Sequence, residues 1–175
     1  GKAVVQCHGT FDLMHPGHIK HFEAGRREGD VLVVTITPDR YVKKGLGRPV
    51  FNEKLRMESI AALYCVDFVA LDIDAKPLKA IEMLKPNVFV KGGDYTGKEL
   101  EVGHAAWEEK QIIDSYGGRY HHTNDPLVFS SSKLLNEHFS PFPEETKKFL
   151  SDLKSRYSFE YISSLIARMS AVRVL

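Results

Sequence analysis

Residues 9–18 read Gly9-Thr10-Phe11-Asp12-Leu13-Met14-His15-Pro16-Gly17-His18, a segment rich in glycine and histidine between an apolar run and a helical pattern. The short apolar run before it, residues 3–8, is typical of a buried strand, which Gly9 can end in a sharp turn. Pro16 suits the first position of a helix, and Gly17 has no side chain to keep a ligand from the backbone. Because the free N–H groups at a helix start bind phosphate, the stretch predicts an anion site at a strand-to-helix turn.

The two histidines of this stretch, His15 and His18, are three residues apart and can project from the same side of the first helical turn. Their imidazole N–H groups can donate hydrogen bonds to phosphate oxygens. A single histidine is more often structural, but a pair that brackets Pro-Gly at such a turn favours a phosphate site. A metal cluster with His8 and His21 is the alternative; we expect none, because His8 ends a buried strand in which side chains alternate between the two faces.

Four further apolar runs alternate with helical patterns along the chain. The predicted strands cover residues 3–8, 31–37, 66–71, 88–90 and 119–122; the predicted helices cover 16–28, 52–64, 77–84 and 105–116, with another from 131. This alternation predicts the α/β class, a Rossmann-like doubly wound fold with a five-stranded parallel sheet. Ligands of such sheets bind beyond the carboxyl ends of the strands, so the candidate site residues should follow each strand.

A second part of the chain begins at the Pro-rich stretch 140–143. We expect a main domain over residues 1–139 and a helical appendage over 140–175, in which Ile162, Leu165, Ile166 and Met169 share one helix face. Residues 172–175 resemble the start of another strand, so we expect the native protein to continue into a further domain.

The composition excludes several classes of protein. The net charge of +1 gives no global attraction for nucleic acid or an anionic membrane, and no apolar run is long enough for a membrane span. Cys7 and Cys65 both lie in apolar stretches, so we expect buried thiols and a cytoplasmic protein.

The other candidate residues follow the later strands. Lys44, or its neighbour Lys43, lies on the loop after the second strand, and Arg56 on the next helix can fork two hydrogen bonds to a phosphate. Arg56 could instead pair with Glu53 or Glu58 on its own helix. Residues 91–95 (Lys-Gly-Gly-Asp-Tyr) follow the fourth strand, and Ser130, Ser131 and Ser132 precede a helix that Ser131 could simply cap.

These motifs, in this order, resemble the HxGH nucleotidyltransferases, or cytidylyltransferase-like family, and above all the nucleotidyltransferase domain of ADP-heptose synthases. The likeness covers roughly residues 4–136 and includes Arg48-Pro49-Val50. It implies an enzyme that transfers a nucleoside monophosphate from CTP or ATP to a phosphorylated small molecule, such as a sugar or polyol phosphate, and releases pyrophosphate. The attacking phosphate is already an anion, so alignment and charge neutralisation suffice and no general base is needed.

The resemblance also implies the role of each residue. His15, His18 and Lys44 would be catalytic, and Asp12 would orient the acceptor or Mg²⁺, or else brace its loop. The nucleotide would be bound by the residues that match the family's motifs: Gly9, Thr10, Phe11, Gly17, Arg56, Lys91, Gly92, Asp94, Ser130, Ser131 and Ser132. The expected partners are Mg²⁺ with the nucleoside triphosphate, the acceptor, a second copy in a homodimer, and a downstream sugar-kinase domain.

Two questions stay open at the level of sequence. The chain lacks the arginine that several cytidylyltransferases carry shortly before the position of Ser130, which leaves the choice between CTP and ATP undecided. A non-catalytic module that senses nucleotides is the alternative function; the presence of His15, His18 and a loop lysine favours the enzyme.

Overall fold

The computed structural model describes residues 1–45, 47–123 and 143–170. Its contacts divide the chain into two compact units, Gly1–Asn136 and Glu137–Leu175. The predicted boundary at residues 139–140 and the serines at 130–132 lie outside the described residues.

The first unit contains one parallel sheet. Its strands are β1 (Val4–Gly9), β2 (Val31–Ile36), β3 (Phe68–Leu71), β4 (Val88–Gly92) and β5 (Arg119–Thr123). Up to residue 123, its described α-helices are α1 (Pro16–Arg26), α2 (Glu53–Ala61), α3 (Leu78–Leu84) and α4 (Ala105–Ser115). The strands lie in the order β3-β2-β1-β4-β5, and every neighbouring pair is parallel. The predicted Rossmann-like α/β sheet of five parallel strands is thereby confirmed.

The strand sequences account for the burial of the sheet. Alternate residues of β1, Val5 and Cys7, point to the face that α1 covers, where they pack with Phe22, Leu32 and Val34 and are fully buried. A smaller cluster of Ile81, Phe89 and Ile113 fills the opposite face beneath α3 and α4. Both faces are covered, which explains why the central strands are rich in β-branched residues.

Local signals fix the ends of the helices. The side chain of Asn52 accepts a hydrogen bond from Leu55 N–H and caps α2, as the sequence predicts. In the long connection between β2 and α2, one 3₁₀ turn covers Asp39–Tyr41.

The second unit contains two helices among the described residues, α5 (Glu144–Arg156) and α6 (Phe159–Ser170). The rings of Tyr157 and Tyr161 stack at the junction of these helices, with their centroids 5.4 Å apart. Within the described residues, no helix has the length and apolar character needed to cross a membrane.

Candidate active site

The strand order places a crevice between β1 and β4. The chain goes from β1 to β2 and β3 on one side of the sheet, and then to β4 and β5 on the other. The loops that leave the carboxyl ends of β1 and β4 therefore diverge, and ligands of doubly wound sheets bind in the gap that results. Residues 10–18 leave β1 at this point, and residues 93–95 leave β4.

His15 and His18 meet at the start of α1. His15 is the N-cap residue, and its Nδ1 accepts a hydrogen bond from Gly17 N–H at 3.1 Å. The two imidazole rings stack with their centroids 3.8 Å apart. The predicted juxtaposition of the two rings is therefore present, at a helix terminus whose dipole favours an anion.

The environment keeps these imidazoles neutral. Burial, together with the charges of His15, His21 and Lys44, lowers the pKa of His18 to about 3, while Asp12 acts in the opposite direction. Burial also lowers the pKa of His15. Lys43 and Lys44 lie on the same loop and are both exposed. Because the charge of Lys44 affects the pKa of His18, Lys44 lies in the neighbourhood of the histidine pair.

The backbone before the histidines is held in an unusual shape. Phe11 and Leu13 have φ angles of +49° and +48°, in the left-handed region. The Phe11 ring packs against the edge of Phe22 and against His18. A Cβ atom on Gly9 would lie 2.9 Å from the Phe11 ring, so glycine at position 9 leaves room for this packing.

Asp12 ties this loop to the segment before α2. Its carboxylate accepts hydrogen bonds from Arg48 Nε at 3.1 Å, from Val50 N–H at 2.8 Å and from Phe51 N–H at 3.0 Å, and the residue is 3% exposed. The geometry gives Asp12 the bracing role that was one of its alternatives. Three N–H donors therefore already bind this carboxylate.

Arg56 is a fully buried brace in the same region. Its guanidinium donates hydrogen bonds to the backbone oxygens of Thr10, Phe51 and Thr37 and to Asp39. Its ion-pair partner is Asp39, at 2.7 Å, in place of the alternative partners on its own helix, Glu53 and Glu58. Arg56 therefore positions Thr10 and its loop, and the expected fork toward a phosphate is used within the protein.

Lys91 is also committed to a buried partner. Its Nζ lies 2.9 Å from Oε1 of Glu109, and Tyr120 donates a hydrogen bond to the other carboxylate oxygen. The ammonium also lies 4.9 Å from the centre of the Tyr95 ring. Gly92 ends β4, and the backbone of Asp94 lies in the short 3₁₀ turn that follows. Lys91 thus supports the floor of the crevice.

A buried polar group that sequence reasoning left without a role lies at the ends of β1–β3. Nδ1 of His8 is 3.0 Å from Thr35 Oγ1 and 3.4 Å from Asp72. Burial lowers the pKa of His8 to about 3 and raises that of Asp72.

In the described part of the chain, no group of three or more histidine, cysteine, aspartate or glutamate side chains is arranged to hold a metal ion.

Two further supporting residues could have been found from patterns. Glu109 shares the buried face of α4 with Ala106 and Ile113, at a spacing of three and four residues. Arg48 lies in the Arg-Pro-Val segment that belongs to the resemblance. For Asp39, the partner of Arg56, the sequence shows only that the residue lies in a loop.

Comparison with known proteins identifies the family. A family model described as cytidylyltransferase-like matches residues 6–137. The bifunctional protein HldE of Geotalea uraniireducens is 46% identical over 121 residues, which are 68% of this chain and 23% of that protein. The protein of the same name from Bradyrhizobium sp. is 45% identical over 134 residues, 73% of this chain and 26% of that one. The chain thus spans about a quarter of the length of these curated relatives.

Solved structures support the same assignment. The lipopolysaccharide core biosynthesis protein from Thermoplasma volcanium has a TM-score of 0.60 and 26% identity, over 71% of this chain and 98% of that one. The pantoate-beta-alanine ligase from Francisella tularensis, at 16% identity and a TM-score of 0.53 over 97% of this chain and 78% of its own, shares the fold alone. The family predicted from the motifs is confirmed: the chain belongs to the cytidylyltransferase-like family.

Proposed function

We propose that this domain transfers a nucleoside monophosphate from CTP or ATP to a phosphorylated sugar or polyol and releases pyrophosphate. The observation that carries the proposal is the stacked pair of neutral imidazoles, His15 and His18, at the start of α1 beside the β1–β4 crevice. Family membership supports the reaction class, and the similarity to a lipopolysaccharide core biosynthesis protein supports a sugar-derived acceptor.

The hydrogen bonds of His15 define which atom can serve the substrate. Because Nδ1 accepts from Gly17 N–H, the proton of neutral His15 is on Nε2, which makes Nε2–H a donor. Together with the N–H groups of the first turn and the charge of Lys44, this donor would stabilise negative charge on the α-phosphate and the departing pyrophosphate. The substrate phosphate is the nucleophile, so none of these groups has to remove a proton.

The other partners belong to the same proposal. Mg²⁺ would enter together with the nucleoside triphosphate. We further propose that the protein acts in the cytoplasm as a homodimer. The bifunctional relatives, which are about four times longer, favour a fused sugar-kinase domain.

Pyrophosphate release tests the reaction. The assay combines Mg²⁺, each of ATP, CTP, GTP and UTP, and a panel of sugar and polyol phosphates. His15→Asn keeps a good helix cap but removes the imidazole, so we expect turnover to fall by about 10²- to 10³-fold with little loss of stability. His104→Asn is the matched control, because His104 caps α4 through the same Nδ1 contact. Nucleotide binding without turnover in the wild type would instead support a sensing module.

A further inference from the structure

One arginine beside the histidine pair has more hydrogen-bond donors than the described chain offers acceptors. The Arg48 side chain is 7% exposed, and its Nε donates to Asp12. Both terminal nitrogens, Nη1 and Nη2, are buried and have no hydrogen-bond partner among residues 1–45, 47–123 and 143–170. These two nitrogens carry four of the five N–H donors of a guanidinium.

This arrangement is unfavourable in the protein by itself. Buried N–H donors of a charged group are costly without an acceptor, and the carboxylate of Asp12 is shared with two backbone N–H groups. Arg56 shows the contrast, since each of its three guanidinium nitrogens has an acceptor. Arg48 therefore has the donors of a binding site that a ligand would complete, and a planar fork of N–H groups matches the oxygens of a phosphate.

The position of Arg48 indicates which ligand. Its partner Asp12 is close enough to His18 for its charge to influence that imidazole, and so is Lys44, four residues before Arg48. Arg48 therefore belongs to the same neighbourhood as the groups assigned to the triphosphate.

We propose that Arg48 binds a phosphate group of the substrates through Nη1 and Nη2, while Nε keeps the guanidinium fixed on Asp12. This inference rests on the proposed function. The phosphate belongs either to the nucleoside triphosphate or to the acceptor, and the chemistry of recognition is the same.

Calorimetric titration of wild type, Arg48→Lys and Arg48→Gln tests the proposal. The titrants are Mg-ATP, Mg-CTP, pyrophosphate and, in the presence of a non-hydrolysable ATP analogue, inorganic phosphate. We expect both variants to bind at least one of these anions about 10- to 100-fold more weakly than wild type. A loss for ATP, CTP and pyrophosphate assigns Arg48 to the triphosphate, and a loss confined to inorganic phosphate assigns it to the acceptor. Arg27→Gln, on the exposed end of α1, should bind all of them as wild type does.

Thermal unfolding separates binding from a purely structural role. We expect the rise in Tm produced by saturating pyrophosphate or inorganic phosphate to shrink in both Arg48 variants and to persist in Arg27→Gln. Anion affinities and ligand-induced Tm shifts equal to those of wild type would overturn the proposal, whatever the Tm of the free variants. These readouts need no turnover, so Arg48-dependent anion binding would stand even if the transferase assay failed.

Discussion

Nζ of Lys91 lies 2.9 Å from Oε1 of Glu109, and both side chains are buried where β4 meets α4. Tyr120 donates to the second oxygen of the same carboxylate, and its hydroxyl pKa is raised by burial and by Glu109. The pair connects the strand that forms one wall of the crevice to a helix behind it. The fold depends on both members of the pair being present, because a buried charge that loses its partner is strongly unfavourable.

Glu109→Gln should therefore destabilise the fold. It leaves the Lys91 ammonium without a buried counter-charge, and we expect the free energy of unfolding in urea to fall by about 3 kcal/mol. Asp114→Asn removes the partner of Lys110 in an exposed pair on the same helix and should cost less than about 0.5 kcal/mol. Equal losses in the two variants would show that burial of the Lys91 pair has no energetic consequence.

Arg56→Lys distinguishes a brace from a phosphate ligand. Lysine cannot reproduce the bonds to Thr10, Phe51 and Thr37, so the variant should lose about 2–4 kcal/mol of stability. Lys54→Ala, an exposed change on the same helix, should stay within about 0.5 kcal/mol. Stability and the KM for the nucleotide are measured together; a raised KM with wild-type stability would restore Arg56 as a direct ligand.

Acid should destabilise the protein through its buried histidines. Burial lowers the pKa of His8 and His18 to about 3 and that of His21 to about 4. The unfolded chain therefore binds these protons first as the pH falls below about 6.5, and stability decreases from there toward pH 4. Each histidine contributes a slope of up to about 1.4 kcal/mol per pH unit.

Urea unfolding between pH 4 and 8 measures this effect. His21→Asn should show a shallower decline than wild type between pH 6 and 4, and a parallel curve above pH 7.5, where imidazoles are neutral in both states. Identical slopes in the acid range would mean that His21 takes up its proton equally in the folded and unfolded chains.

Gly93→Ala should disturb the crevice at its other wall. An added Cβ would lie 2.8 Å from the backbone oxygen of Thr123, which a rigid strand cannot readily move, so we expect a loss of about 1–3 kcal/mol and weaker nucleotide binding. Gly97→Ala is the comparison, because it has open space and only the strain of a φ angle of +87°. Thermal unfolding and nucleotide titration of both variants measure these effects. Wild-type stability and wild-type nucleotide affinity in Gly93→Ala would contradict the prediction.

The sheet could be predicted because its signals are local. Runs such as residues 31–37 identify buried strands by composition, and the structure shortens that run by only one residue. Strand β3 begins two residues later than predicted, at Phe68, because Val66 still belongs to the turn that closes α2, where its N–H bonds to Leu63. Boundaries of this kind depend on hydrogen bonds that composition does not encode.

The partners of charged residues could not be predicted in the same way. Two glutamates of the same helix, Glu53 and Glu58, were the alternative partners of Arg56, but the acceptor is Asp39, which the fold brings from a separate turn. The motifs located the histidine pair because its two members are adjacent on one helical turn. Lys91, Asp12 and Arg56 were found as important positions, while their contacts within the protein depend on tertiary packing.

The strand order determines when this site can form during synthesis of the protein. Strand β1 hydrogen-bonds to β4, and Val5 pairs with Val88. This pairing can form only after Val88 has been synthesised and has left the ribosome. A nascent chain that ends after β3 contains the histidine pair and three neighbouring strands, but only one wall of the crevice. Non-local pairing of this kind is slow, and nucleotide affinity should therefore be acquired late and all at once during synthesis.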